Sequence, residues 1–421
     1  MNMLAGLILF YVIAISVLVW IIQRDYRQQG FSFHLLFSGI YLITFFGGFP
    51  FSMTMAELFE YRLPAISMLW NILAIALGGY LIYYVSYLYI GRNKQIPRYA
   101  VEVKSLANLT AWILMTIAIL SLLVFMLLNQ GLLLFKLEKY SHIFSAQVSG
   151  VALKRFFYFF LPALLIWFFL KPTKESWWLF LVAGMTFGVL SYLAVGGTRA
   201  NLALAFVMFM LLGYLRRFLS FKWLVRAGLL TVIAMFLLAL WRYRLNVQGS
   251  EAFYTFLYLT RDTFSPWENV ARIMEAEIEF QGLMPIVRDF YVYIPQSLWE
   301  ARPDIVWNTA NYFTKSVLGN FSGLAMSPTL LGSFYIMGGI PMIAIGMAVV
   351  GGFIRIFDNF FAYGKNSAVI QSYCLANLFN LIVLIREGID AFISRFCFFS
   401  VIFVFAYIVA YLINRVREGY E

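Results

Sequence analysis

The chain has 421 residues, of which 62% are hydrophobic, 19% aromatic and only 12% charged, and its mean hydropathy is +0.82. That composition excludes a soluble globular domain. The net charge of +11 does not indicate a nucleic-acid partner, because the basic residues lie in short connectors between apolar runs and leave no basic domain to hold one.

A helix needs about 20 apolar residues to cross a hydrocarbon core of about 30 Å. Runs of that kind predict spans at 1–22, 33–51, 65–90, 106–128, 151–170, 177–195, 200–215, 225–241, 327–354, 367–386 and 391–413. The expectation is an all-α polytopic membrane protein in three parts: spans over 1–241, a large loop over 242–326, and further spans and a tail over 327–421. The first run lacks a basic leader and a small-residue cleavage site, so it reads as a retained span. Cys374 and Cys397 fall in apolar runs and suit packing better than a disulfide.

Lys and Arg concentrate in the connectors 23–32, 91–105, 171–176, 216–224 and 355–366 and in the tail from 414. Basic connectors stay in the cytoplasm, so the large loop is expected to face outward, with the N-terminus outside and the C-terminus inside. His34 falls at the cytoplasmic edge of the second span and His142 in an outward loop, and both read as interfacial. No span carries a charge near its middle, and no pair of Gly/Pro-broken half-helices is apparent. Both absences count against an ion-coupled transporter.

The tight turn Gly196-Gly197-Thr198-Arg199 places an arginine at the outer boundary, either snorkelling to lipid or gripping an anion. Within the loop, Arg261-Asp262-Thr263-Phe264-Ser265-Pro266-Trp267-Glu268 reads as a capping box that starts a helix running to about Glu275. The helix start beside Arg261 suits an anion, unless Arg261 simply pairs with Asp262. Glu275, Glu277 and Glu279 alternate, do not converge on one helical face and read as a solvated edge, so no metal is expected. Arg288 and Asp289 lead into an aromatic run with Tyr291, Tyr293 and Trp299, residues of a kind that stack on sugars or rest on a bilayer surface. Arg386, Glu387, Asp390 and Arg395 gather at the junction of the last two spans. From Arg155 onward the outward cations are arginines, with Lys315 the one exception, a bias that favours bidentate grip of phosphate or carboxylate.

The segments FSFHLLFSGIYLITFFGGFPF, LTRDTFSPWENVA, FQGLMPIVRDFYVYIP, RPDIVWNTANYFT, SGLAMSPTLLGSFYIMGG and NLIVLIREGIDAFISR resemble the enterobacterial common antigen polymerases, a group of Wzy-type polysaccharide polymerases, nearly end to end. The resemblance implies a GT-C-like glycosyltransferase of the bacterial inner membrane working on its periplasmic side. It would move a growing glycan from undecaprenyl pyrophosphate to a second carrier-linked trisaccharide, with no nucleotide sugar, cofactor or metal. A flippase and a chain-length regulator would be its pathway partners. Arg199, Arg261, Arg288 and Arg386 are then the expected pyrophosphate ligands, with Arg242 and Arg244 behind them, and Arg302 or Arg395 would recognise a uronate. Glu387, Asp390, Asp262 and Asp289 are the candidate bases, and Trp267, Tyr291, Tyr293 and Trp299 the candidate sugar-stacking rings. The competing reading is a lipid-linked oligosaccharide flippase or polysaccharide exporter.

Overall fold

A computed structural model describes the chain except for residues 1–2, 91–102, 137–147, 198–199, 244, 295–298, 300, 302–306, 322–324 and 419–421 and the side chains of 29, 241–243 and 418. Every regular element among the described residues is helical. In chain order they are α1 (Met3–Gln29), α2 (Phe33–Leu42), α3 (Phe49–Phe59), α4 (Ile66–Tyr89), α5 (Lys104–Leu128), α6 (Lys154–Phe157), α7 (Phe160–Leu170), α8 (Lys174–Val195), α9 (Ala200–Leu215) and α10 (Phe221–Tyr243). The polar stretch folds as α11 (Gly249–Phe264), α12 (Glu268–Glu275), α13 (Met284–Asp289) and α14 (Thr309–Tyr312). The chain then continues as α15 (Thr329–Tyr363), α16 (Ala368–Ala376), α17 (Leu378–Arg386) and α18 (Ile389–Glu418).

Among the described residues, 10 helical stretches are long and apolar enough to cross a membrane. The expected span at 200–215 is the helix α9, which at 16 residues is shorter than the others. This is a polytopic all-α membrane protein.

The chain forms two compact units. One comprises Met1–Gln95, Asn246–Asn359 and Asn380–Phe396, and the other Ile96–Leu245, Phe360–Phe379 and Cys397–Glu421. In the second unit α5 packs on α7, α7 on α16 and α8 on α9. Trp177 is fully buried there and donates its indole N–H to the Phe209 carbonyl at 2.7 Å, so even its polar edge is satisfied.

The first unit is held at one end by a buried polar network. Tyr80, Tyr83, Tyr84 and Tyr87 recur at helical spacing on one face of α4, and all are buried. Their hydroxyls reach Ser38, His34, Asp25 and Asp358 respectively. His34 sits between Asp25 at 3.1 Å and Tyr83 at 2.9 Å and is wholly inaccessible, so it is a packed residue rather than an interfacial one. Asp358 accepts the N–H groups of Phe33 at 2.6 Å and His34 at 3.2 Å, and Ser32 accepts that of Leu35, so the open amino end of α2 is satisfied inside the protein.

The span expected over 327–354 is interrupted. α15 is broken at Gly338 and Gly339, just before Pro341. The carbonyls freed there, Ile336 and Met337, accept from the N–H groups of Gln281 and Gly282, each at 2.9 Å, so the polar stretch is strapped onto the break. Gly339 has φ +69, which favours glycine, and a Cβ there would also lie 3.0 Å from the Phe280 ring, a tight contact. A Gly-Gly-Ile-Pro string inside an apolar run carried this signal, and span counting alone passes over it.

Candidate active site

Two polar groups form in the first unit, and the expected site residues divide between them. The first is built on α11 and α12. Arg261 Nη1 meets both oxygens of Glu268, at 3.0 and 3.1 Å, and also donates to Tyr61. Tyr61 and Ser52 each donate to Glu268, at 2.8 and 2.6 Å. The side chains of Arg261 and Glu268 are only 5% and 6% exposed. Burial works against the charge on Arg261, but Glu268 and Tyr61 outweigh it and hold the guanidinium above its ordinary value.

Helix α12 does end at Glu275 as expected, but the capping box is not formed. Its N-cap position is Trp267 and carries no side-chain cap. Ser265 instead accepts from Gly48 N–H at 2.7 Å and donates to the Thr44 carbonyl at 2.8 Å, while Glu268 is committed to Arg261. Tertiary partners outcompete the local motif because these groups are buried and must be satisfied across elements. Arg261 is therefore occupied internally, and its partner is Glu268 rather than Asp262, whose nearest oxygen is 3.9 Å away.

The second group joins α13, α14, α17 and α18. Asp289, at the end of α13, accepts from Asn308 at 2.6 Å and from Ser394 on α18. Asp390, in the first turn of α18, accepts Thr309 N–H at 2.7 Å and the Thr309 hydroxyl at 2.8 Å. Both aspartates are buried. Glu387 and Arg395 pair at 2.5 Å and are 34% and 36% exposed. Arg395 also lies in the field of Asp289.

The turn between α17 and α18 is only Glu387-Gly388. Glu387 N–H returns to the Val383 carbonyl at 2.7 Å, and Ile389 N–H is accepted by Ser333 at 3.3 Å. Gly388 has φ +118, and a Cβ there would sit 2.7 Å from Ser333. Arg386 ends α17, and its Nε is sealed from solvent with no hydrogen-bond partner. An unpaired buried donor on a cation is costly unless something anionic answers it.

Of the remaining expected residues, Arg288 is half-buried, and no described carboxylate pairs with it. Trp267 is fully buried against Phe49 and presents no face to a sugar, because it serves as a core residue under α12. Tyr291 and Trp299 are half-buried and meet edge to face at 5.0 Å, and Tyr293 is half-buried beside them. Arg199, Arg244 and Arg302, the side chain of Arg242, and His142 lie outside the described residues. Glu275, Glu277 and Glu279 are exposed, and among the described residues no group of three or more His, Cys, Asp or Glu could hold a metal ion.

Sequence reading missed Asn308, Thr309, Ser333 and Ser394. Ser394 stands four residues after Asp390, one helical turn along the same face, and Asn308 carries an N-cap signal for α14 that its bond from Asn311 N–H fulfils. Both signals are local and point nowhere in particular until the fold supplies the partner.

No solved structure matches the chain. A family model described as the WzyE protein, an O-antigen assembly polymerase, matches residues 1–418, which takes in every candidate span and both polar groups. On that end-to-end match, the chain belongs to the WzyE family of O-antigen assembly polymerases.

Proposed function

We propose that the chain elongates enterobacterial common antigen on the periplasmic face of the bacterial inner membrane. The growing glycan leaves one undecaprenyl pyrophosphate carrier and joins the terminal sugar of a second, carrier-linked trisaccharide of N-acetylglucosamine, N-acetylmannosaminuronic acid and 4-acetamido-fucose. The large loop over 242–326 faces the periplasm in this reading, as does the N-terminus, while the C-terminus is cytoplasmic. Neither a metal nor a nucleotide sugar takes part.

The observation that carries this reading is the second polar group. It sets arginines and carboxylates side by side at the end of two spans, where a lipid-linked diphosphate would lie. Breaking the bond to a pyrophosphate develops negative charge on the leaving oxygen, and fixed cationic donors at that point lower the barrier. Arg386 and Arg288, both half-buried and with no described carboxylate partner, are available for that task. Arg261, committed to Glu268, instead secures the fold. Arg199, Arg242 and Arg244 stay candidates for the same anion on sequence grounds, and Arg302 for the uronate.

A flippase or exporter is the competing reading, and the break in α15 is the observation in its favour. In such transporters the backbone groups freed by a break line the substrate path. Here Gln281 and Gly282 answer the Ile336 and Met337 carbonyls, which favours the polymerase. Reconstitution separates the two. Purified protein mixed with lipid-linked repeat units, without nucleotide or divalent cation, should yield a ladder of lengthening glycans. Repeat units that cross the bilayer without being joined would overturn the polymerase reading.

A further inference from the structure

We propose that Glu387 is the base that takes the proton from the acceptor hydroxyl, and that its ion pair with Arg395 keeps it idle until an anionic group of the lipid-linked substrate draws the guanidinium away. This rests on the polymerase reading above. It goes further by assigning one carboxylate and a means by which substrate switches it on.

The surroundings of the four candidate carboxylates differ. Asp390 is 1% exposed and both its oxygens accept from Thr309, so no acceptor sugar can approach it. Asp289 is 6% exposed, with one oxygen engaged by Asn308 and the other by Ser394. These two act as positioning residues that fix α13 and α14 against α18. Asp262 is half-buried like Glu387, but the cation beside it is sealed against Glu268 and is not free to leave for a substrate.

Glu387 alone of the four combines access with a single removable partner. Its oxygens are held at 2.5 and 3.4 Å, both by Arg395. Departure of that one side chain frees the whole carboxylate. Meanwhile the backbone of Glu387 is fixed at a two-residue turn by Val383 and by the close fit of Gly388 against Ser333. A base on a rigid turn keeps its aim when its partner moves.

A carboxylate locked to a guanidinium is a weak proton acceptor, so the pair suppresses reaction while the site is empty. Phosphate oxygens match the planar fork of arginine as well as a carboxylate does. An incoming diphosphate therefore competes directly with Glu387 for Arg395. Arg386, the half-buried residue just before Glu387, offers a second guanidinium to the same anion.

The chemistry balances without a co-reactant. Glu387 accepts the hydroxyl proton, the acceptor oxygen forms a bond to the anomeric carbon, and the bond from that carbon to the carrier's phosphate oxygen breaks. The electron pair stays on the diphosphate, where the arginines meet it, and the proton is later lost to water.

Steady-state kinetics of the full chain in liposomes, with lipid-linked repeat units as the only substrate, test this. Glu387→Gln should lower kcat about 100-fold or more, the range expected when a general base is removed, with KM nearly unchanged. Arg395→Lys keeps the charge but loses the fork, and should raise KM about tenfold with a much smaller fall in kcat. Should Glu387→Gln fail to accumulate, Glu387→Asp decides, because it keeps the carboxylate but withdraws it by one methylene: a lower kcat at constant KM supports the assignment. A folded Glu387→Gln protein, or Glu387→Asp, with wild-type kcat overturns it. Failure of the wild-type protein to join repeat units would instead count against the polymerase reading itself, so the two failures are distinct.

Discussion

Thr309 gives both its backbone N–H and its hydroxyl to the buried carboxylate of Asp390, at 2.7 and 2.8 Å. One carboxylate at the start of a membrane-spanning helix thereby satisfies the amino end of a four-residue helix in the polar stretch. Thr309→Val preserves shape but removes the hydroxyl, at a cost of about 1.5–3 kcal/mol for a hydrogen bond to a charged group. Thermal unfolding in detergent should show that loss, and Thr309→Ser should restore both the midpoint and the glycan ladder. Equal behaviour of the Val and Ser variants would mean the hydroxyl contributes nothing.

The arginines should separate by role. Arg386→Lys and Arg288→Lys replace a fork with a point charge and should lose most polymer formation at normal protein level. Arg261→Met should instead lower the amount of folded protein, because it leaves Glu268 buried without its cation, and breaking a buried pair by removing one partner costs about 3–5 kcal/mol. Immunoblots beside glycan gels read both quantities at once. Normal protein level with no polymer in Arg261→Met would return Arg261 to the anion-binding set.

These contrasts mark what the sequence made legible. Spans and the crowding of arginine and carboxylate at Arg386, Glu387, Asp390 and Arg395 follow from composition and spacing, since lipid admits few solutions for an apolar run and tolerates charge only at its ends. The partner of Arg261 did not follow, because local reasoning sees Asp262 one residue away and cannot see Tyr61 or Ser52, about two hundred positions upstream. Trp267 misled for the same reason: an aromatic beside a polar cluster reads alike whether it faces a sugar or, as here, the core. The masking of His34 between Asp25 and Tyr83 likewise depends on α4, whose tyrosine periodicity has meaning only once its facing helix is known.

The amino end of α2 offers another test. Asp358→Ala strips two acceptors from the N–H groups of Phe33 and His34 and one from Tyr87. Unanswered buried donors cost about 1–3 kcal/mol each, so the variant should unfold at markedly lower temperature. Asp358→Asn keeps one carbonyl acceptor and should fall between it and wild type. If all three proteins melt together, the cap is not a determinant of stability.

The strap on α15 makes the last prediction. Gly339→Ala meets two obstacles, a φ of +69 that alanine adopts poorly and a Cβ 3.0 Å from the Phe280 ring. Phe280→Ala removes the second obstacle but not the first. If the ring contact dominates, adding Phe280→Ala to Gly339→Ala should recover stability; if the backbone dominates, the double variant should stay as weak as the single. At φ +69 and ψ −156 the backbone lies in a region essentially confined to glycine, where a side chain costs on the order of 1–3 kcal/mol, whereas the ring can give by a few tenths of an ångström, so the backbone is expected to dominate and the double variant to show no rescue. Limited proteolysis of the 276–283 segment is the direct measurement, because loss of the Gln281 and Gly282 bonds to the freed carbonyls would open that strap to cleavage in both variants.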